Sequence, residues 1–85
     1  MWKSGLLNID GVVYEWDAKV FDEGSRFGID GGRVSKLEIR TYDKHEKPKL
    51  ICNYDRGWDI RPQNETDQKA TDAVLKMFGY IRVSL

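Results

Sequence analysis

The stretch LLNIDGVVYEWDAKV, residues 6–20, carries the clearest β-hairpin signal in the chain. Asp10-Gly11 separates two apolar runs, and this dipeptide favours a two-residue type I′ turn because both turn positions need positive φ. The turn pairs Ile9 with Val12. Alternation along both strands then gives one apolar and one charged face, as in an antiparallel sheet with one face buried. The apolar face consists of Leu7, Ile9, Val12, Tyr14, Trp16, Ala18 and Val20.

Two further strands, RVSKLEIRTY (residues 33–42) and KLICNYD (residues 49–55), are predicted on either side of the charged turn DKHEKP. A hairpin that pairs Tyr42 with Lys49 brings one set of apolar side chains onto the same face. A slip of one residue would expose them, so the register is well specified. The set is Leu37, Ile39, Leu50, Cys52 and Tyr54.

A third turn, Asp55-Arg56-Gly57, predicts a short fifth strand. Gly57 is expected to take the left-handed conformation that a three-residue hairpin needs. This turn pairs Tyr54 with Trp58, and it pairs Cys52 with Ile60. Trp58 and Ile60 then point to the core that the first two hairpins define.

A helix is predicted over residues 65–78. Asn64 is a suitable N-cap and Gly79 a suitable residue after the helix end. One apolar stripe follows helical spacing: Ala70, Ala73, Val74, Met77 and Phe78. A helix with one stripe covers a sheet with one apolar face. We therefore predict a single α+β domain over residues 1–85, with a two-layer arrangement: an antiparallel meander of about five strands (4–61) covered by the C-terminal helix. The tail, residues 80–85, is expected to add a strand or to pack loosely.

Composition narrows the class of protein. The chain has 85 residues, of which 40% are hydrophobic, and 14 basic residues balance 14 acidic ones. This balance disfavours a duplex DNA binder, because phosphate neutralisation supplies most non-specific affinity. The single cysteine rules out an internal disulfide and fits a reducing, cytoplasmic location. No apolar run approaches the roughly 20 residues of a membrane span, so no membrane partner is expected.

The sequence offers no catalytic, cofactor or metal set. The only His and the only Cys, His45 and Cys52, are predicted to lie well apart, and together they are too few for a structural zinc site. Cys52 is expected to be a small buried hydrophobe. Glu15 and Asp17 are expected to pair with charges across the strands on the solvated sheet face. We therefore expect no catalytic residue, no metal ligand and no cofactor.

The segment GSRFGIDGGR, residues 24–33, is the most irregular part of the chain. It lacks the spacing of a phosphate-binding loop or a dinucleotide fingerprint. It is either a connection between strands or a binding loop. The connection over 22–32 is long for so small a domain, and long loops on rigid sheets often bind partners. The candidate binding residues are Arg26, Phe27, Ile29, Arg33 and Arg56.

The solvated sheet face is predicted to carry several apolar side chains among its charges. Such a patch either marks an interface or consists of ordinary scattered surface residues. The side chains are Leu6, Val13, Phe21, Val34 and Ile51, with Trp2 as an extension.

The strings KVFDE, S-x-FGI-x-x-GR-x-SKL and NYDRGWD resemble a family of small uncharacterised proteins, a domain of unknown function found in bacteria and their phages. The resemblance covers roughly residues 8–78 and leaves out Trp2 and the tail after Gly79. It implies an accessory protein of bacterial or phage origin and supplies no catalytic residue.

Three functional hypotheses follow. The first is a non-catalytic module that binds an unidentified protein partner and modulates a host protein. The second is binding of single-stranded or structured nucleic acid through the exposed sheet face. Its candidate residues are Arg26, Arg33, Lys36, Arg40, Arg56 and Arg61. The third is a small enzyme or ligand sensor. The first strand is a sheet edge with weak protection, so a homodimer is also expected.

Overall fold

The computed structural model describes residues 1–79. Five antiparallel strands form one open sheet in the order β1-β2-β3-β4-β5, and one helix follows them. The elements are β1 (Trp2–Ile9), β2 (Val12–Val20), β3 (Val34–Tyr42), β4 (Pro48–Asp55), β5 (Trp58–Ile60) and α1 (Glu65–Met77). The predicted α+β arrangement is confirmed. The prediction for residues 80–85 lies outside the described residues.

The first hairpin has the predicted turn and register. Asp10 and Gly11 both have positive φ, 51° and 85°, and Ile9 pairs with Val12. Asn8 also supports the turn, because its Oδ1 accepts a hydrogen bond from the Gly11 amide at 3.0 Å. Local turn chemistry therefore sets the register of the first two strands.

A β-bulge changes the face of Val34. Lys19 pairs with Lys36, but Val20 pairs with Val34, which leaves Ser35 as the extra residue. A bulge reverses the inward and outward alternation beyond it. Val34 is therefore buried in the core, with 3% exposure, and its predicted place on the solvated face is wrong.

A second bulge, in β4, changes the faces of Leu50 and Ile51. Ile39 pairs with Cys52 as predicted, but Arg40 pairs with Leu50, so Ile51 is the extra residue. Ile51 is buried at 4% exposure, whereas Leu50 is only half-buried. The predicted register is correct for the inner part of this hairpin and wrong towards its turn.

The third turn pairs Tyr54 with Trp58 as predicted. Its left-handed residue is Arg56, with φ of 59°, and not Gly57. The amide of Asp55 closes the turn by donating to the carbonyl of Gly57 at 2.9 Å. The turn therefore gives the backbone of Arg56 a defined conformation, and the residue is exposed.

A third bulge follows this turn. Ile60 pairs with Asn53, and Asp59 is the extra residue. The predicted pairing of Ile60 with Cys52 is therefore wrong by one position.

The helix begins as predicted and ends one residue earlier. Asn64 caps it, because its Oδ1 accepts from the Asp67 amide at 2.8 Å and its Nδ2 donates to Asp67 Oδ2 at 3.0 Å. Phe78 is the C-cap, and Gly79 follows with φ of 82°. Sequence signals at both ends therefore set the helix to within one residue.

The buried stripe of α1 is rotated from the predicted one. Met77 is 52% exposed, and Leu75 is buried instead. The reason is that Asp67 belongs to the buried face, where Tyr14 donates a buried hydrogen bond to its Oδ1 at 2.8 Å. Counting by three and four from that residue gives the observed stripe: Asp67, Ala70, Thr71, Val74 and Leu75.

The core lies between α1 and one face of the sheet. Trp16 packs closely against Gly5 of the edge strand, where a Cβ would lie 2.9 Å from the indole ring. Phe78 also meets Trp16 edge-on, with ring centroids 5.8 Å apart. Glycine at position 5 therefore leaves room for the largest core side chain. The opposite sheet face carries Glu15, Asp17, Glu38 and Arg40.

Candidate binding loop

The connection between β2 and β3 is itself a compact structure. The amide of Ser25 donates to the carbonyl of Gly32 at 3.2 Å, and the amide of Gly28 donates to Ser25 at 3.0 Å. A short 3-10 turn, Ile29–Gly31, follows. We refer to residues 22–33 as the β2–β3 loop. Its internal hydrogen bonds show that the loop has a defined structure of its own.

Two glycines of the loop are required by close backbone contacts. A Cβ on Gly28 would overlap the carbonyl oxygen of Gly32, and one on Gly24 would overlap that of Gly31. Gly31 itself has φ of 75°. The glycine-rich sequence is thus explained by tight backbone packing and a left-handed turn residue.

Ile29 attaches the loop to the core. Its side chain is only 3% exposed and belongs to the main hydrophobic cluster. A second attachment comes from Tyr54, whose hydroxyl donates to the carbonyl of Phe27 at 3.0 Å. In this structure Ile29 therefore holds the loop in place, and its side chain is not available to a partner.

Phe27 is the exposed aromatic residue at the top of the loop. Its side chain is 44% exposed. The guanidinium carbon of Arg26 lies 4.9 Å from the ring centroid, and that of Arg56, from the β4–β5 turn, lies 5.4 Å away. The loop and the turn thus combine to form one surface cluster, which we call the Arg–Phe–Arg cluster (Arg26, Phe27 and Arg56).

Arg33 lies at the base of the loop. Its Nε donates to the carbonyl of Phe21 at 2.8 Å, and its own carbonyl accepts from the Phe21 amide at 2.9 Å. Phe21 is also exposed, with the Lys19 ammonium 5.5 Å from its ring centroid. Of the five residues predicted from the sequence, three form the cluster, Arg33 closes the loop base and Ile29 is buried.

Tyr54 is the supporting residue that the sequence reasoning missed. The sequence predicts it only as a core residue, and the structure confirms its burial, with 7% of the residue exposed. Its ring also meets Trp58 edge-on at 5.1 Å, and Arg61 lies over Trp58 at 5.2 Å. Burial, followed by the charge of Asp30, raises the pKa of Tyr54. The sequence signal for this supporting role is a tyrosine near the end of a strand, beside a long loop.

The solvated sheet face contains an ion-pair network centred on Arg40. Its guanidinium contacts Glu15, Asp17 at 2.9 Å and Glu38 at 3.6 Å. Burial acts to lower the pKa of Arg40, but hydrogen bonds to Asp17 and Glu15 raise it overall. The predicted cross-strand charge pairing is confirmed, and it leaves carboxyl groups in excess around this arginine.

Two ionisable side chains of the core, Cys52 and Tyr14, have raised pKa values. Burial raises the pKa of the Cys52 thiol to about 11. Burial and the hydrogen bond to Asp67 raise the pKa of Tyr14 to about 12. Cys52 is fully buried, as predicted. Within residues 1–79, no group of three or more His, Cys, Asp or Glu side chains could hold a metal ion.

A shallow groove separates the loop from the helix. It has a volume of about 200 Å³ and is lined by residues that include Ile29, Trp58, Arg61 and Thr71. Ligand pockets are usually larger, about 300–1,000 Å³.

None of the helices in the described part of the chain is long and apolar enough to cross a membrane.

The fold and the loop define a small α+β protein with one open sheet and a compact surface loop that is attached to the core. The chain belongs to the family described as Domain of unknown function (DUF7678), whose model matches residues 1–79. The match ends at Gly79, and it includes Trp2, which was predicted to lie outside the resemblance. The comparisons with curated proteins and with solved structures give no match.

Proposed function

We propose that this protein is a non-catalytic module that binds another protein through the Arg–Phe–Arg cluster. We further propose that it is a cytoplasmic accessory protein of bacterial or phage origin that modulates the host protein it binds. The observation that carries the proposal is the exposure of Phe27 on a loop whose backbone is fixed from both sides.

The physical argument rests on preorganisation. Ordering a flexible loop during binding costs free energy, and a loop that is already folded avoids that cost. The β2–β3 loop has internal hydrogen bonds, and Ile29 attaches it to the core. Aromatic and arginine side chains are also the types most often found at the centres of protein interfaces. The cluster therefore has both the composition and the support of a binding site.

The proposed absence of catalysis is supported by the state of the core groups. Tyr14 and Cys52 have pKa values raised to about 12 and 11, so both stay protonated at neutral pH. The hydrogen-bond partner of Tyr14 is Asp67, whose other carboxylate oxygen accepts from the N-cap residue Asn64. The shallow groove beside the loop is smaller than a usual ligand pocket, so it gives little support to a role as a ligand sensor.

Nucleic-acid binding through the sheet face receives less support than protein binding. Arg40, the central cation of that face, contacts three carboxyl groups. Lys36 forms a salt bridge with Asp55 at 3.6 Å. A phosphate backbone would meet these acidic groups as well as the cations. The loop end of the molecule is therefore the better candidate site.

The test is affinity capture of the tagged protein from a nuclease-treated bacterial lysate, read by mass spectrometry. The variant is R26A/F27A, which removes one cation and the exposed ring. The matched control is L6A/V13A, which removes two exposed apolar side chains from the opposite sheet face. A protein retained by the wild type and the control but lost from R26A/F27A supports the proposal. Equal retention by all three proteins contradicts it.

A further inference from the structure

The two arginines of the cluster keep their charges available to a partner. Neither Arg26 nor Arg56 forms a salt bridge with a carboxyl group of residues 1–79. Arg40, by contrast, is surrounded by three carboxyl groups. Each guanidinium of the cluster instead lies against the ring of Phe27, an arrangement that leaves hydrogen-bond donors at the guanidinium edges.

The backbone beneath the cluster is held by hydrogen bonds at Arg56 and at Phe27, and both guanidinium groups contact the ring of Phe27. The amide of Arg56 donates to the carbonyl of Ser35 at 3.3 Å, within the closed β4–β5 turn. The amide of Phe27 donates to Ser25 Oγ at 3.2 Å, and its carbonyl accepts from Tyr54. Both guanidinium carbons lie within about 5.5 Å of one ring centroid, so they are at most about 11 Å apart.

This spacing fits a short acidic peptide. A guanidinium group binds a carboxylate through two parallel hydrogen bonds. An extended peptide rises about 3.3 Å per residue, so carboxylates two or three residues apart can reach the two arginines. An apolar side chain between them would then lie on the exposed ring of Phe27. We propose, resting on the function proposed above, that the cluster binds a peptide segment with Asp or Glu on both sides of an apolar residue.

Charge favours such a peptide over a nucleic acid. The chain carries 14 basic and 14 acidic residues, so it has no net positive charge that would attract a polyanion. Nucleic-acid affinity depends on neutralising many phosphates at once. A peptide with two carboxylates needs only the two local guanidinium groups. The charges of the cluster therefore favour an acidic peptide as the ligand.

The test is selection of a random displayed peptide library on the immobilised protein, followed by anisotropy titration of the selected peptides. The variant R26Q/R56Q removes both charges from exposed side chains. Its matched control is K44Q/K47Q, which makes the same charge change in the exposed β3–β4 turn. We expect the selected peptides to carry Asp or Glu on both sides of an apolar residue, and their affinity to fall with added salt. Binding to R26Q/R56Q should be at least tenfold weaker than to the wild type, and binding to the control should change less than twofold.

Three results would overturn the inference. One is selection of no peptide, or of peptides without enriched Asp and Glu. Another is equal binding of acidic peptides to wild type and R26Q/R56Q. The third is binding of an oligothymidine probe that depends on both arginines in the absence of peptide binding. If selected peptides require Phe27 but no acidic residue, the binding module stands and only this partner chemistry fails; if F27A also binds them unchanged, both proposals fail.

Discussion

Ile29 and Phe27 are two positions apart in the same loop and have opposite roles. Ile29 is buried in the core, whereas Phe27 is 44% exposed. We predict that Ile29→Ala lowers the free energy of unfolding by about 2–5 kcal/mol, as expected for a truncated core aliphatic residue. Phe27→Ala should lower it by less than about 1 kcal/mol, since surface substitutions usually have small effects. Urea unfolding of the two variants measures both values.

The comparison separates a binding role from a structural one. If Phe27→Ala destabilised the protein as much as Ile29→Ala, the exposed ring would be explained by stability alone. The case for a binding residue would then be lost.

Cys52 provides a chemical probe of the folded state. Its side chain is fully buried, and burial raises its pKa to about 11. Because the thiolate is the reactive form, we predict that a disulfide reagent at pH 8 does not modify the native protein on the timescale of mixing and modifies it fully in urea. The control is Val13→Cys, which adds a thiol at a position that is 52% exposed and should react at once. Rapid reaction of the native wild type would contradict the described core.

At the scale of elements, the hairpin turns could be predicted and the bulges could not. Asp10-Gly11 predicts the first register because the turn type follows from two adjacent residues. The extra residues Ser35, Ile51 and Asp59 have no such local signal. A bulge depends on how the whole sheet twists over its core. This is why Val34 and Ile51 were assigned to the wrong face.

The β2–β3 loop depends on a glycine that cannot be replaced without moving the backbone. A Cβ on Gly28 would overlap the carbonyl oxygen of Gly32, whereas a Cβ on Gly57, in the neighbouring turn, meets nothing within 4 Å. We predict that Gly28→Ala lowers the free energy of unfolding by about 1–3 kcal/mol and abolishes binding at Phe27. Gly57→Ala is the matched control and should change neither. Thermal unfolding would measure the change in stability, and partner capture would measure the change in binding. A Gly28→Ala protein with unchanged stability and binding would contradict the requirement for glycine at this position.

The candidate site was only partly predictable for a related reason. Its loop residues, Arg26 and Phe27, stand out in the sequence by loop length and composition. The contact of Phe27 with Arg56 depends on two connections that meet at one end of the sheet, and predicting it requires the strand order. The inward direction of Ile29 could not be predicted, because no periodicity extends through the loop.

At the scale of the whole molecule, the core should lose stability at high pH. Tyr14 is 1% exposed and its pKa is raised from 10.0 to about 12. The folded state therefore favours the protonated phenol, and the stability that this contributes is fully present below pH 10 and is lost as the pH rises through 12. At about 1.4 kcal/mol per pKa unit, a shift of about two units corresponds to a loss of about 3 kcal/mol. Cys52 adds a similar loss between pH 9 and 11.

Urea unfolding at pH 8 and pH 11 measures the part of this loss that falls below pH 11, which is about half of the Tyr14 contribution. The control is Tyr14→Phe, which cannot ionise at this position and should lose less stability between the two pH values than the wild type does. The same decline in both proteins would show that Tyr14 is not the group responsible.

The open edge of the sheet bears on the assembly of the whole molecule. β1 is an edge strand of eight residues with Lys3 as its one charge, and edge strands of this kind pair readily. The predicted homodimer stays a prediction, and β1 is the surface through which we expect it to form.

We expect the β2–β3 loop to be folded and rigid, with Phe27 displayed on its surface, before any partner binds. Backbone ¹⁵N relaxation of the free protein measures this most directly. We predict order parameters of about 0.85 for the amides of Phe27 and Ile29, equal to those of β3, as for rigid backbone. Values below about 0.6 for the loop, with β3 still rigid, would contradict the claim.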